Sequence, residues 1–197
     1  CETWDEWFRP AETVAVRPPA APPPPSASAA VADALREGQA ALVRGDYNGA
    51  VRWTEGCRHD PGVCVLHLKA LANIDTLSAV QASADAVQRH ALSPELHYLY
   101  AVLLMEVNRD AEAVQAARRA VFLDRSLAIA HFTLGSILQR RGALQDAKRC
   151  FRNARDLCAA RPPDEIVPLT DGEAAGRLAE AAEVQLHSLQ AAIGRRS

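Results

Sequence analysis

The chain has 197 residues, of which 49% are hydrophobic and only 5% aromatic, and its 22 basic and 24 acidic residues leave a net charge of −2. This balance excludes a strongly basic nucleic-acid-binding arm, and no apolar run reaches the roughly 18 residues that a membrane span needs. Alanine supplies 39 residues. Because alanine favours helices whereas strands favour β-branched and aromatic residues, the composition predicts one all-α domain.

Residues 1–30 predict a tail followed by a linker. Seven of the 12 prolines lie in this segment, and its second half reads PPAAPPPPSASAA. Proline runs favour an extended chain that serves as a spacer. Trp4, Trp7 and Phe8 precede the linker, and this density of aromatic residues predicts the last piece of a preceding domain.

The cysteines predict free thiols rather than a disulfide framework. The chain has five of them, with no CxxC pair: Cys1, Cys57, Cys64, Cys150 and Cys158. An odd number without paired spacing disfavours both disulfide scaffolds and zinc ribbons, and small buried thiols fit a reducing cytosol. We therefore expect a cytoplasmic protein, and the start at Cys1 predicts a fragment or a processed product.

From residue 31 onward the sequence has a helical periodicity that repeats every 34 residues. This offset pairs Ala101 with Gly135 and Ala113 with Ala147. Small residues at fixed intervals allow two helices to approach closely, and repetition at this length indicates stacked helix pairs. The four pairs are predicted at residues 31–61, 62–93, 94–127 and 128–161. The second pair is divergent, because Arg89 stands where a small residue is expected.

Residues 162–197 predict a loop and a capping helix. Pro162 and Pro163 end the last repeat, since proline cannot continue a helix, and Asp171 is placed to cap the next one. An apolar stripe follows at Leu178, Ala182, Leu186, Leu189 and Ile193. Such a stripe predicts a helix that lies on the last repeat.

The run HFTLGSILQRRGALQDAKRCFRNA resembles the tetratricopeptide (TPR) repeat, with Gly135, Ala147 and Ala154 at its small positions. The resemblance, which covers residues 31–161, implies an α-α superhelix in which the first helix of each pair lines a groove. In register, the expected groove residues are Leu35, Gln39, His67, Tyr98, Val102, Met105, Phe132, Ser136 and Gln139. A groove of this mixed apolar character suits an amphipathic helix or an extended peptide. The alternative is that Tyr98 and Phe132 pack within the repeats.

The same resemblance disfavours one kind of ligand. TPR proteins that bind the acidic tails of chaperones use Lys, Arg and Asn side chains at groove positions, and none is expected at these positions here. Recognition of an acidic C-terminal tail is therefore not predicted.

A narrower resemblance lies at the C-terminal end. The segments FRNARDL from Phe151, PDEIVPLTDG from Pro163 and AGRL from Ala175 resemble the end of CheR-family chemotaxis methyltransferases that carry a TPR region. The family pattern has proline at Ile166 and serine at Thr170. The resemblance implies a regulatory or docking module of an enzyme that methylates chemoreceptor glutamates with S-adenosylmethionine, with a Frz-type pathway as one setting. The implied partners are a chemoreceptor, a signalling protein or the methyltransferase domain itself.

No sequence motif in the chain predicts catalysis. The sequence contains no glycine-rich nucleotide loop, GxSxG or HExxH, so we expect no catalytic residue, cofactor or metal site. His97 and His131 occupy equivalent repeat positions and are the best metal candidates, but packing at a helix seam is the favoured role. The alternative function is a TPR scaffold of a bacterial envelope lipoprotein, lipidated at Cys1 and tethered by the proline-rich spacer.

Overall fold

The computed structural model describes residues 27–170 and 172–194, without the side chains of residues 193 and 194. The described residues form nine helices: α1 (Ala27–Val43), α2 (Tyr47–Thr54), α3 (Pro61–Ile74), α4 (Thr76–Arg89), α5 (Pro94–Glu106), α6 (Asp110–Leu123), α7 (Ala128–Arg140), α8 (Leu144–Ala159) and α9 (Ala175–Gly194). A short 3-10 helix, Glu55–Cys57, follows α2. None of the described helices has the length and apolarity that a bilayer crossing requires.

Capping residues mark the beginnings of several of the described helices, and residues that tolerate a positive φ form the turns between them. The side chains of Asp60 and Ser93 accept hydrogen bonds from the first turns of α3 and α5, and each is followed by a proline at a position that needs no backbone donor. Asn108 and Gly142 turn the chain between the two helices of the third and fourth pairs with φ of 59° and 78°. Asparagine and glycine tolerate this left-handed conformation.

Two local features differ from the sequence prediction. Helix α1 begins at Ala27, within the segment expected to be linker, because a run of alanine and serine continues the helix once the prolines end. Arg89 is exposed at the end of α4 instead of lying at a tight helix contact, and its guanidinium donates to the Arg58 carbonyl at 3.1 Å. The divergent second pair therefore tolerates a long side chain at this position.

The core is a continuous contact of each helix with the next, and its closest approaches occur at small residues. Ala101, Ala113 and Ala147, which the 34-residue offset singles out, are fully buried. A Cβ atom added to Gly135 would lie 3.0 Å from the ring of Phe151. The same ring meets Phe132 edge to face, with 5.3 Å between centroids.

Helix α9 packs on α8 and closes the described stack. Leu178 joins a cluster with Cys158 and Val167, while Leu186 and Leu189 join the large core cluster that contains Phe151. An ion pair between Arg155 of α8 and Glu183 of α9, at 3.1 Å, adds to this contact. The predicted cap Asp171, the Ile193 side chain and residues 1–26 of the tail and linker predicted at 1–30 lie outside the described residues.

The four described cysteines are free thiols, and burial raises the pKa of Cys64, Cys150 and Cys158. The Cys64 thiol donates to the Arg58 carbonyl at 2.9 Å. These thiols therefore stay protonated at neutral pH and act as small core residues.

We predict that Leu186→Ala lowers the free energy of unfolding by roughly 2–5 kcal/mol, because it deletes a side chain that is 4% exposed in the contact between α8 and α9. The measurement is the melting curve. The control is Val184→Ala on the same helix, where the side chain is 65% exposed and the change should be within about 0.5 kcal/mol. Equal melting curves for the two variants would contradict the burial of this helix face.

Candidate peptide-binding groove

An open cavity of about 570 Å³ lies on the side of the stack formed by the first helices of three pairs, α1, α3 and α5. Apolar and polar side chains of these helices share its lining, among them Gln39, Lys69, Asn73, Tyr98, Val102 and Glu106. The loop between α8 and α9 also lines the cavity and contributes Leu169, Thr170 and Gly172. We call this cavity the groove.

Helical spacing explains why these side chains meet. Tyr98, Val102 and Glu106 lie four residues apart on α5, so that they follow one face over two turns. Lys69 and Asn73 have the same spacing on α3. Because α1, α3 and α5 pack side by side, their faces form one continuous surface.

Three of the predicted groove residues, Gln39, Tyr98 and Val102, line the cavity. His67 does not, because its side chain is 4% exposed and its Nδ1 atom lies 3.0 Å from the Thr54 hydroxyl of α2. Burial, together with the charge of Arg58, lowers the pKa of His67. Its assignment to the groove was therefore wrong, and its role is to join the first and second pairs.

The fourth pair does not contribute its predicted residues to the groove. Phe132 packs against the cluster of Val167 and Leu178 and against Phe151, so that the capping segment covers it. The Ser136 hydroxyl donates to the Phe132 carbonyl at 3.1 Å. Phe132 therefore packs both on Phe151 of its own repeat and on the capping segment.

The remaining predicted residues also lie outside the cavity lining. Met105 packs against the large core cluster, and Leu35 and Gln139 are half-buried. Met105 directly precedes Glu106, which lines the cavity, and Gln139 belongs to α7, which contributes no lining residue. The structure places Lys69, Asn73 and Glu106 in the lining instead.

The loop between α8 and α9 is held by hydrogen bonds across its base. The amide of Val167 donates to the Glu173 carbonyl at 2.9 Å, and the amide of Ala175 donates to the Glu165 carbonyl at 2.8 Å. Leu169, at its tip, has a φ of 67° and packs into a cluster that includes Tyr98. A leucine in the left-handed region is strained, so the packing of this side chain must compensate for the strain.

The charges in the groove nearly balance. Lys69 and Glu106 supply one basic and one acidic side chain, and the Asn73 amide donates to the Lys69 carbonyl at 2.8 Å. The positions predicted for the groove contain no Lys or Asn, whereas Lys69 and Asn73 line the cavity, because the register of α3 against its neighbours depends on tertiary packing.

His97 and His131 have the same structural role in successive repeats. The Nε2 atom of each lies 3.1 Å from a carbonyl oxygen six residues earlier, that of Ala91 and that of Arg125. Burial lowers the pKa of both histidines. Nowhere in the described part of the chain do three or more potential metal ligands cluster.

The arrangement of helix pairs defines an all-α superhelix of the TPR type. The solved structures it resembles include MamA, with a TM-score of 0.59 and 16% identity over 84% of this chain and 87% of that one. A thermophilic TPR protein of Thermus thermophilus gives a TM-score of 0.58 and 13% identity over 80% and 79% of the two chains. A type III secretion complex from Aeromonas hydrophila gives 0.56 and 15% over 66% and 83%.

No protein-family model matches the sequence, and no curated protein resembles it significantly in sequence. At these identities the likeness to solved structures establishes the fold alone. The fold is the all-α superhelix that the sequence predicted.

We predict that acid destabilises the protein between neutral pH and about pH 5. Burial holds the pKa of His67, His97 and His131 below the ordinary value of 6.5. Below pH 6.5 the unfolded chain therefore binds more protons, so the free energy of unfolding falls as the pH falls. Urea melts at pH 7 and 5.5 measure this difference.

His131→Gln should reduce this pH dependence, because it removes one buried titrating ring. The control is His59→Gln, at an exposed position in the loop before α3. A pH dependence that is the same in both variants would contradict the role of His131.

Proposed function

We propose that this chain is a non-catalytic protein-interaction module whose groove on α1, α3 and α5 binds a short segment of a partner protein. The observation that carries the proposal is the cavity of about 570 Å³ on the first helices of the superhelix. This volume falls in the range of about 300–1,000 Å³ that suits a few side chains rather than a whole domain.

The lining suggests how a segment would bind. Tyr98, Leu99 and Val102 offer apolar and aromatic surface for an anchoring side chain. The amide groups of Gln39 and Asn73 are placed beside this surface and are able to exchange hydrogen bonds with a peptide backbone. Because Lys69 and Glu106 balance each other, binding should depend only weakly on salt.

We further propose that the parent protein is a chemoreceptor glutamate methyltransferase in the cytoplasm, and that this chain is its docking or regulatory module. The support is the resemblance of the loop from Pro163 and of AGRL from Ala175 to the end of CheR-family enzymes. The same loop forms one wall of the groove. A chemoreceptor, a signalling protein and the methyltransferase domain are the candidate partners.

A second candidate is a TPR scaffold domain of an envelope lipoprotein. The observation that favours it is Cys1 followed by a proline-rich spacer, the arrangement that a lipidated cysteine and its tether would have. Cys1 lies outside the described residues. The segment upstream of Cys1 in the parent gene distinguishes the two, since one candidate requires a methyltransferase domain and the other a lipoprotein signal peptide.

We predict that Tyr98→Ala with Val102→Ala weakens binding of a chemoreceptor cytoplasmic domain, or of the separate methyltransferase domain, by about tenfold or more, as expected for an apolar hot spot. Titration calorimetry measures the affinity. The control is Leu77→Ala with Leu92→Ala, which removes two exposed apolar side chains away from the groove. Unchanged affinity in a folded groove variant would exclude the groove as the site.

We also predict that the chain does not bind S-adenosylmethionine, because no nucleotide-binding motif occurs in its sequence. Calorimetric titration of the cofactor into the purified protein tests this. Saturable binding at micromolar concentrations would contradict a purely docking role.

A further inference from the structure

A second cavity, of about 620 Å³, lies on the second helices of the third and fourth pairs, between α6 and α8. Its apolar lining includes Val121, Phe122 and Leu157. Phe122 is 66% exposed, so most of its ring is accessible at this cavity. No residue of this cavity belongs to the groove, so the two surfaces are separate.

Arginines without acidic partners surround this apolar surface. Among the described residues, Arg118 and Arg125 line the cavity and form neither an ion pair nor a side-chain hydrogen bond. The Arg119 guanidinium lies 5.4 Å from the centroid of the Phe122 ring. The acidic residue of the cavity, Asp156, is paired with Arg155 at 2.8 Å. We call the surface of Arg118, Arg119, Phe122, Arg125 and Leu157 the arginine surface.

Other arginines on or next to the same helices form ion pairs with nearby acidic residues. Arg109 at the start of α6 binds Glu112, and on α8 Arg149 binds Asp146. Within the described structure, Arg118, Arg119 and Arg125 lack such a local acidic partner, so that the arginine surface combines exposed apolar area with an excess of positive charge over the one acidic residue of the cavity lining, Asp156. Such a surface is complementary to a segment in which carboxylates alternate with aromatic side chains.

The chain itself contains such a segment in the tail predicted before the linker. Residues 2–8 read ETWDEWF, with three carboxylates at Glu2, Asp5 and Glu6 beside three aromatic side chains. We propose that this acidic aromatic segment, which lies outside the described residues, binds the arginine surface of the same chain. Its aromatic rings would cover Phe122 and Leu157, and its carboxylates would pair with Arg118 and Arg125.

The intervening chain is long enough for this contact. Residues 9–26 separate the segment from the start of α1, and 18 residues span at most about 60 Å. Packed helices lie about 8–10 Å apart, so three helix spacings from α1 to α7 and one more from α7 to α8 cover roughly 40 Å. Covalent tethering also raises the effective concentration of the segment at the surface, so that modest affinity suffices.

The test uses the full chain with Trp53→Phe, which removes the one tryptophan outside the segment, a side chain 52% exposed on α2. Trp4 and Trp7 then report directly on the contact. We expect a blue-shifted emission maximum and protection from acrylamide quenching. Arg118→Glu with Arg125→Glu should shift the emission to the red and raise the quenching constant.

The matched control is Arg44→Glu with Arg141→Glu, which changes the charge equally at two exposed arginines outside the cavity. Glu2→Gln with Asp5→Asn and Glu6→Gln should release the tryptophans without altering the helical domain. Replacing the three acidic residues with arginine in the Arg118→Glu, Arg125→Glu chain should restore protection. Circular dichroism verifies that each variant is folded.

Several results would overturn the proposal. Solvent-exposed tryptophans in the parent chain, or an equal change in the control variant, would show that the arginine surface does not hold the segment. Protection that disappears on dilution would show contact between molecules instead of within one chain. The groove variant Tyr98→Ala with Val102→Ala should leave the tryptophan emission unchanged, so this test and that of the groove fail independently.

Discussion

The contact between Gly135 and Phe151 is the constraint on which the C-terminal half of the structure depends. A methyl group at position 135 would approach the phenyl ring to 3.0 Å, so that the ring would have to move by a few tenths of an ångström to admit any residue larger than glycine. The ring held in this way is fully buried and also meets Phe132. Leu186 and Leu189 of α9 join the same cluster, so the capping helix takes its position from this contact.

The placement of the cap determines where the groove ends. Once α9 lies on α8, the preceding loop crosses the first helix of the fourth pair, and Val167 and Leu178 cover Phe132. Leu169, in spite of its left-handed backbone, then packs against the same buried cluster as Tyr98. The contact between Gly135 and Phe151 thus helps to position the capping helix, and the capping helix positions the loop that lines the groove.

The sequence predicts those features that depend on local pattern. Helix pairs follow from the 34-residue recurrence of small residues such as Ala113 and Ala147, and the cap follows from the stripe at Leu178 and Leu186. Groove positions depend on the rotation of each helix against its neighbours, which no local pattern encodes. His67 therefore bonds Thr54 instead of facing the groove, while Lys69 enters it. The loop wall was missed because Leu169 and Tyr98, which pack against the same buried cluster, are about 70 residues apart in the sequence.

The loop also sets the length of segment that the groove accepts. The stack contains four helix pairs, but the loop and α9 occupy the surface of the fourth, so three first helices remain accessible in the described structure. At about 8–10 Å between neighbouring helices, the outer two axes lie roughly 20 Å apart. An extended strand rises about 3.3 Å per residue, so the groove spans roughly six residues of an extended peptide. Adding further pairs before α1 would lengthen this footprint, whereas adding them before α9 would carry the loop along and leave the last pair covered.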